Sequence, residues 1–262
     1  MTALVEAAIE VAKIAGAVAL THYERHLEGQ RIVASVKSDG SPVSEADRAA
    51  EAAARSFLAS RFPDDGIVGE ELGEERPSAK RRWCLDPIDG TKSFLAGAPL
   101  WGSLVALVEG DAVLAGAAYF PVTRELIAAG PGSGLFVEGS WGGVSGVDAV
   151  ADATVLTTDE RFPDAPECVA PFRALAARAR IARTWGDCYG YYLVATGRAE
   201  LMTDGRLSIW DAACFLPIIE EAGGVFTDWD GQRTVFGRGA IATNRRLAAE
   251  LRRTLGVQYE AP

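Results

Sequence analysis

The stretch Asp86-Pro87-Ile88-Asp89-Gly90-Thr91-Lys92-Ser93-Phe94 sets two carboxylates on a bend. Arg81-Arg82-Trp83-Cys84-Leu85 precedes it, a short apolar run that predicts a buried strand. Pro87 has no N–H to donate, so the ladder of that strand is expected to end there. Gly90 then admits a turn that other residues would strain to make. Asp86 and Asp89 thus fall three positions apart at a strand end, with the Ile88 carbonyl turned outward between them. Carboxylates plus a backbone carbonyl are the oxygen ligands a hard cation such as Mg²⁺ takes. Beyond the bend, the amides of Gly90, Thr91 and Lys92 open a helical turn, and free amides at a helix start hold an anion such as phosphate. An isolated D-P-x-D-G is more simply a Pro-Gly turn with two solvated aspartates. The rest of the chain decides between these.

The 262 residues suffice for one large domain or two small ones sharing a core. Apolar residues make up 48% and charged ones 24%, the mixture of a soluble globular protein. A formal net charge of −10 argues against nonspecific nucleic-acid binding and against an anionic membrane surface. It leaves room for an anionic small-molecule substrate, because a bound metal inverts the local field. Cys84, Cys168, Cys188 and Cys214 are scattered without a C-x-x-C pair, so neither a disulfide framework nor a zinc site is expected. Glu6 and Glu10 interrupt the apolar N-terminal pattern, which excludes a signal peptide, and no apolar run approaches a membrane span. A cytoplasmic protein is the expectation. His22 and His26 are the only histidines, four apart on a helix, and a Ser-His-Asp or Cys-His mechanism would have to recruit one of them.

Apolar residues at helical spacing predict a long amphipathic helix over residues 3–28. Lys37-Ser38-Asp39-Gly40-Ser41-Pro42 reads as a loop. Ser44-Glu45-Ala46-Asp47 then opens a second helix to about Arg61, with Asp47 as the acid of an S-x-x-D capping box. Ile67-Val68 is a short strand running into Gly69-Glu70-Glu71, an acidic pair at a strand end that is either a metal ligand or a solvated loop. Residues 73–82, charged and Pro-containing, read as an exposed, mobile loop. Leu100–Val108 and Ala112–Phe120 predict an antiparallel hairpin around Glu109-Gly110-Asp111. Leu126–Ala129 and Leu135–Glu138 flank Gly130-Pro131-Gly132-Ser133-Gly134, which lacks the Lys-Ser/Thr of a phosphate loop and reads as a hairpin turn. The Gly-rich segment 139–146 is the expected boundary between residues 1–140, an α+β half with an antiparallel sheet, and residues 141–262, an α/β half. In the second half strands and helices alternate. Trp210-Asp211 begins a helix to Glu221, closed by Gly223-Gly224, with Asp211 as its N-cap.

Glu70, Asp86, Asp89 and Asp211, with Asp47 and Thr91, therefore all fall at element ends. Gly69-Glu70-Glu71, Asp86-Pro87-Ile88-Asp89-Gly90-Thr91, Trp210-Asp211-Ala212-Ala213 and Glu221-Ala222-Gly223-Gly224, in this order, resemble the inositol monophosphatase family of metal-dependent, lithium-sensitive phosphatases over roughly residues 3–256. The resemblance implies a layered α-β-α-β-α sandwich, a homodimer, and two or three Mg²⁺ ions in the cleft between the halves. It implies that Glu70, Asp86 and the Ile88 carbonyl hold one ion and Asp86, Asp89 and Asp211 a second. Gly90 and Thr91 amides would hold the phosphate. Thr91 and Asp47 would orient a metal-activated water that Glu70 helps to deprotonate. Such a hydrolysis needs no histidine and no protein nucleophile.

The stretch 86–94, followed by Pro99-Leu100-Trp101-Gly102, and Trp185-Gly186-Asp187-Cys188-Tyr189 are similar to the histidinol-phosphate phosphatase branch of that family. That likeness implies hydrolysis of L-histidinol phosphate in histidine biosynthesis. The alternative is an inositol-1-monophosphatase or a broad sugar or polyol monophosphatase. Histidinol phosphate carries an ammonium and an imidazole, so carboxylates beside the leaving group favour it. Asp187 and Asp204 are the candidates, and Arg183 is a candidate for the phosphate or for a dimer neighbour's substrate. A non-catalytic metal-binding relative would have no chemical need for all six of Asp47, Glu70, Asp86, Asp89, Thr91 and Asp211.

Overall fold

A computed structural model describes residues 1–260 except 31, 33, 37–41 and 140. The loop read at Lys37–Ser41 lies outside the described residues. Helix α1 (Ala3–Leu27) starts at Thr2, whose hydroxyl accepts the Val5 N–H, and buries Val5, Ala8, Val11, Ala12, Ala15 and Ala19 along one stripe. Strands β1 (Ala34–Val36) and β2 (Pro42–Ser44) form a two-stranded antiparallel ladder. Helix α2 (Glu45–Arg61) follows, with the Ser44–Asp47 capping box formed as expected.

The larger sheet comprises β3 (Gly66–Gly69), β4 (Gly73–Glu75), β5 (Arg81–Asp89), β6 (Gly102–Glu109), β7 (Ala112–Phe120), β8 (Glu125–Ala129) and β9 (Phe136–Glu138), with the short helix α3 (Thr91–Leu95) between β5 and β6. Its order is β4-β3-β5-β6-β7-β8-β9, antiparallel throughout except for the β3–β5 pair. The second sheet is interleaved with helices: β10 (Thr154–Leu156), α4 (Val169–Ala176), β11 (Ile181–Arg183), α5 (Asp187–Ala195), β12 (Leu201–Asp204), α6 (Ile209–Ala212), α7 (Phe215–Glu221), β13 (Val225–Thr227), β14 (Ala240–Thr243) and α8 (Ala248–Thr254). Its order is β11-β10-β12-β14-β13, with β10 parallel to both neighbours and the other pairs antiparallel.

The period-2 alternation of strands sorts side chains into layers. Trp83, Leu85, Val105, Leu107, Ala115, Ala117, Leu126 and Ala128 pack against α1 and α2. Their neighbours Cys84, Leu104, Ala106, Ala118 and Ile127 face the other way, onto α5 and α7, which also receive Leu156, Met202 and Ala242 from the second sheet. The outer face of that sheet, through Val155, Leu201 and Ile241, packs on α4 and α8. The result is the expected layered α-β-α-β-α sandwich.

Three local expectations are corrected. Residues 73–82 are not a continuous loop. Gly73–Glu75 pairs with β3, and Arg81 and Arg82 already belong to β5. The polar side chains that suggested a loop are those that protect a sheet edge. Pro87 does not end β5. Pairing skips from Asp86↔Leu104 to Asp89↔Gly102, so Pro87 and Ile88 form a bulge opposite Ser103, whose hydroxyl donates to the Pro87 carbonyl at 2.6 Å. The helix expected over 211–221 is two helices. Pro217 offers no N–H to the Ala213 carbonyl and its ring crowds that turn, so the chain breaks between α6 and α7. Asp211 accordingly sits inside the first turn of α6 and is not its N-cap. Ser208 is the cap, and its N–H donates to Asp211 Oδ2 at 2.8 Å.

That break rests directly on the larger sheet. A Cβ at Gly116 of β7 would lie 2.4 Å from the Cys214 carbonyl oxygen. Gly116→Ala should therefore destabilise the fold by roughly 1–3 kcal/mol, the range for overpacking a filled interior. Thermal unfolding reads this as a lower Tm, and an unchanged Tm would show the Cys214 backbone free to withdraw.

Candidate active site

The bulged end of β5, the start of α3, the N-terminus of α5, the end of β12 and the first turn of α6 converge on one cleft. Its volume is about 280 Å³, and its walls include Glu70, Asp86, Ile88, Asp89, Gly90, Thr91, Asp187, Asp204 and Asp211. One carboxylate oxygen from each of Asp86, Asp89 and Asp211 lies within 4.8 Å of the others. Most of the residues singled out in the sequence are thus brought together, from segments more than a hundred residues apart.

Each is anchored by its own backbone surroundings. Asp86 Oδ1 accepts the Ile88 N–H at 3.0 Å, a turn made possible by the bulge. Asp89 Oδ2 accepts the Cys188 N–H at 2.5 Å from the first turn of α5. The Thr91 hydroxyl donates to the Ile88 carbonyl at 3.1 Å. Gly90 has φ +90°, and a Cβ there would come within 2.9 Å of the Leu100 carbonyl oxygen, so the turn into α3 needs glycine on two counts. Asp187 adopts φ +49°, with its N–H donated to the Thr158 hydroxyl at 2.8 Å. Asp204 Oδ1 accepts the Thr158 N–H at 3.0 Å and Oδ2 the Tyr191 hydroxyl at 3.1 Å.

Electrostatics pull all these groups one way. Burial first, then repulsion from Glu70, Asp89 and Asp211, holds the Asp86 carboxyl well above the usual carboxylate range. Burial and the charges of Asp187 and Asp211 do the same to Asp89. Asp211 is pushed up to about 7, chiefly by burial, with the Ser208 N–H opposing. Asp187 is raised to about 6 by burial and by Asp204, with Lys92 opposing. Burial also raises Asp204, against the bonds from Thr158 and Tyr191. A divalent cation among such oxygens reverses the balance by favouring every ionised form. The donor set, carboxylates and the Ile88 carbonyl, is all oxygen and suits a hard ion. Burial raises the thiols of Cys188 and Cys214 well above their ordinary value, so neither offers a thiolate here.

Two expected site residues stand apart. Asp47 is fully buried and is not on the cleft wall. Its Oδ2 accepts the Ser44 N–H at 2.8 Å and hydroxyl at 2.6 Å, while Oδ1 has no partner among the described residues. Burial raises its pKa, and the nearby Glu70 charge adds to this. Arg183, expected at the phosphate or at a dimer neighbour's substrate, is absent from the wall of its own chain's cleft. It is exposed on the edge strand β11, and its guanidinium donates to the Ala182 carbonyl at 2.8 Å. Of the histidine pair, His26 Nε2 bonds the Leu95 carbonyl at 3.0 Å and His22 Nδ1 lies 3.9 Å from a Glu45 carboxylate oxygen. The Gly130–Gly134 turn joins β8 to β9, and its Gly132 and Gly134 amides donate to Glu221 at 2.6 and 2.8 Å. Thr158, Tyr191, Asp159 and Arg206 were not foreseen on the cleft wall. None belongs to a motif, and Thr158 is exposed as a partner of Asp187 and Asp204 only by the pairing of β10 with β12.

Residues 1–258 match the family model described as the inositol monophosphatase family. The chain is 39% identical over 257 residues to the histidinol-phosphatase of Chlorobaculum parvum, covering 98% of each chain. It is 35% identical over 220 residues to the histidinol-phosphatase of Mycobacterium tuberculosis, covering 82% of this chain and 85% of that one. Among solved structures, the extragenic suppressor protein suhB from Bartonella henselae superposes with a TM-score of 0.88 at 29% identity, covering 97% of this chain and 98% of that one.

The raised carboxyls fix a pH dependence. In the fold, Asp211 and Asp187 keep protons up to about 7 and about 6. In the unfolded chain an aspartate has lost its proton above about pH 4. Their contribution to stability is therefore fully present below about pH 4 and is lost as pH rises through 6 and 7. In chelator, Tm should fall between about pH 5 and 8, and added Mg²⁺ should raise it most at the upper end. A Tm that Mg²⁺ shifts equally at both ends would contradict this account.

Proposed function

This chain belongs to the inositol monophosphatase family, and from that premise we propose that it is a Mg²⁺-dependent histidinol-phosphatase. The observation that carries the hydrolytic part is the convergence of Asp86, Asp89 and Asp211 oxygens beside the Thr91 turn. The substrate assignment is supported by the full-length likeness to the Chlorobaculum parvum histidinol-phosphatase.

In this reading Glu70, Asp86, Asp89, Asp211 and the Ile88 carbonyl hold two or three Mg²⁺ ions. Bound there, Mg²⁺ neutralises charge on the phosphoryl oxygens and lowers the pKa of water. The protein's part is positioning. The Gly90 and Thr91 amides, at the start of α3 on the cleft wall, hold the phosphate. The Thr91 hydroxyl, fixed by the Ile88 carbonyl, orients the attacking water and Glu70 accepts its proton, while Asp47, which does not itself line the cleft, acts on that water through the Glu70 carboxylate whose charge it feels. The unpartnered Oδ1 of Asp47 supports this role, since a buried carboxylate oxygen without a donor carries a desolvation cost. The halves 1–140 and 141–262 act as one unit with the cleft between them.

Asp187 and Asp204 place negative charge where the leaving group would lie, which suits the ammonium of histidinol. Asp204 already accepts two hydrogen bonds, so Asp187 is the better-placed reader. Those same carboxylates accept hydroxyl donors, which is what keeps an inositol or polyol phosphate as the second reading. The proposal extends to a cytoplasmic homodimer. The four free, buried cysteines support the cytoplasmic part of it.

Two experiments test this reading. Asp89→Asn should lower kcat/KM by more than about a hundredfold, beyond the 10–100-fold effect of losing a mere supporting partner of a metal ligand. It should stay folded, and near-normal turnover would remove Asp89 from the metal site. Phosphate release from L-histidinol phosphate, myo-inositol 1-phosphate and fructose 1,6-bisphosphate should favour the first by at least about a hundredfold in kcat/KM, about 3 kcal/mol. Asp187→Asn should erase most of that preference while sparing a small generic ester. Equal rates on all three would make this a general monophosphatase.

A further inference from the structure

Glu51 lies on α2, one turn beyond Asp47, and is fully buried. Both of its carboxylate oxygens are engaged. Oε2 accepts the Glu71 N–H at 2.8 Å, and Oε1 accepts the Leu72 N–H at 3.2 Å and the Arg55 Nε–H at 2.7 Å. Arg55 in turn donates to the Gly73 carbonyl. The turn between β3 and β4 is thus clamped from α2 at three successive backbone positions. Glu70 immediately precedes these positions, with its own N–H bonded to the Leu85 carbonyl at 3.1 Å. The approach is so close that a Cβ on Gly69 would lie 2.0 Å from Glu51 Oε1.

A carboxylate this deep is tolerated only when donors surround it. Here the donors are the backbone of the very turn that brings Glu70 to the same cleft as Asp86 and Asp211. We propose that Glu51 is a positioning residue for the metal site. It fixes the 71–73 turn, directly after Glu70, to the helix that carries Asp47, so that Glu70 and Asp47 hold a constant relation to Asp86. The inference rests on the reading of Glu70 as a metal ligand.

Glu51→Gln tests it, because both oxygens accept N–H groups and no amide orientation keeps all three bonds. The readout is binding of Mn²⁺ alone to the full-length protein, followed by electron paramagnetic resonance, with Tm measured in chelator. Glu70→Gln measures the underlying reading. Asp65→Asn, which removes a buried carboxylate from Arg81 and Trp83 at the opposite end of β3, is the control for destabilisation alone. Glu51→Gln is expected to weaken Mn²⁺ binding about tenfold or more, the range for losing a partner that orients a ligand. Asp65→Asn should lower Tm without moving Mn²⁺ affinity. Should Glu51→Gln fail to fold, Arg55→Met, which keeps the apolar stem but frees Glu51 and Gly73, should weaken Mn²⁺ binding severalfold. Unchanged Mn²⁺ affinity in Glu51→Gln, or in Arg55→Met where that variant stands in, beside a weakened Glu70→Gln would overturn the positioning role alone. Unchanged affinity in Glu70→Gln would overturn the ligand reading beneath it. A loss in Asp65→Asn equal to that in Glu51→Gln would reduce Glu51 to a structural residue.

Discussion

The bond from the Cys188 N–H to Asp89 Oδ2 joins the two sheets at the acidic cleft. Asp89 closes a bulged strand of the larger sheet, and Cys188 opens the helix that leads into the smaller one. An amide at a helix start is a strong donor to a carboxylate, because the helix dipole adds to the hydrogen bond. The bond thus stabilises an ionised Asp89 that burial and its neighbours oppose. The Ser208 N–H acts likewise on Asp211. The site is a set of mutually repelling acids, of which Asp86, Asp89, Asp204 and Asp211 each accept a backbone amide. That arrangement persists only because the packed middle layer leaves the acids nowhere to retreat.

The middle layer therefore does more than fill space. The break between α6 and α7 sits on Gly116 of β7, which sets the height of Asp211 above the larger sheet. On the opposite side of that sheet, α2 carries Asp47 and Glu51, and through Glu51 it holds the turn that follows β3. The cleft is thus referenced to the larger sheet from both faces. The Asp86, Asp89 and Asp211 oxygens built this way already lie within 4.8 Å of one another, a pre-organised cluster.

Much of this could be read from the sequence. Periodicity located both long helices and the central hairpin, and turn chemistry located the Gly130–Gly134 reversal. Asp86, Asp89, Glu70, Thr91 and Asp211 were legible because local rules put each at an element end, where side chains project from the core. What failed was pairing that depends on distant partners. Pro87 argued for a strand end, yet a bulge let the ladder resume. Residues 73–75 looked like loop because edge strands are polar. Residues 211–221 look like one helix until Pro217, four residues beyond Ala213, is set against it, and Asp211 looks like the cap because the true cap, Ser208, lies three residues earlier in a capping box with it. Thr158 and Tyr191 carried no signal, since their partners are set by the order of strands in the second sheet.

The four free cysteines, all buried, have a practical consequence. Burial lifts Cys84 to about 12 and Cys168 to about 11, and Cys188 and Cys214 well above their ordinary value. Thiolate is the form that reacts with alkylating reagents. In the folded chain all four thiols are both buried and biased toward the unreactive protonated form, so their modification reports opening. Cys84, Cys188 and Cys214 belong to the middle core, whereas Cys168 belongs to the outer layer against α4 and α8. The order in which the four become alkylated is a built-in clock for which layer of the sandwich separates first.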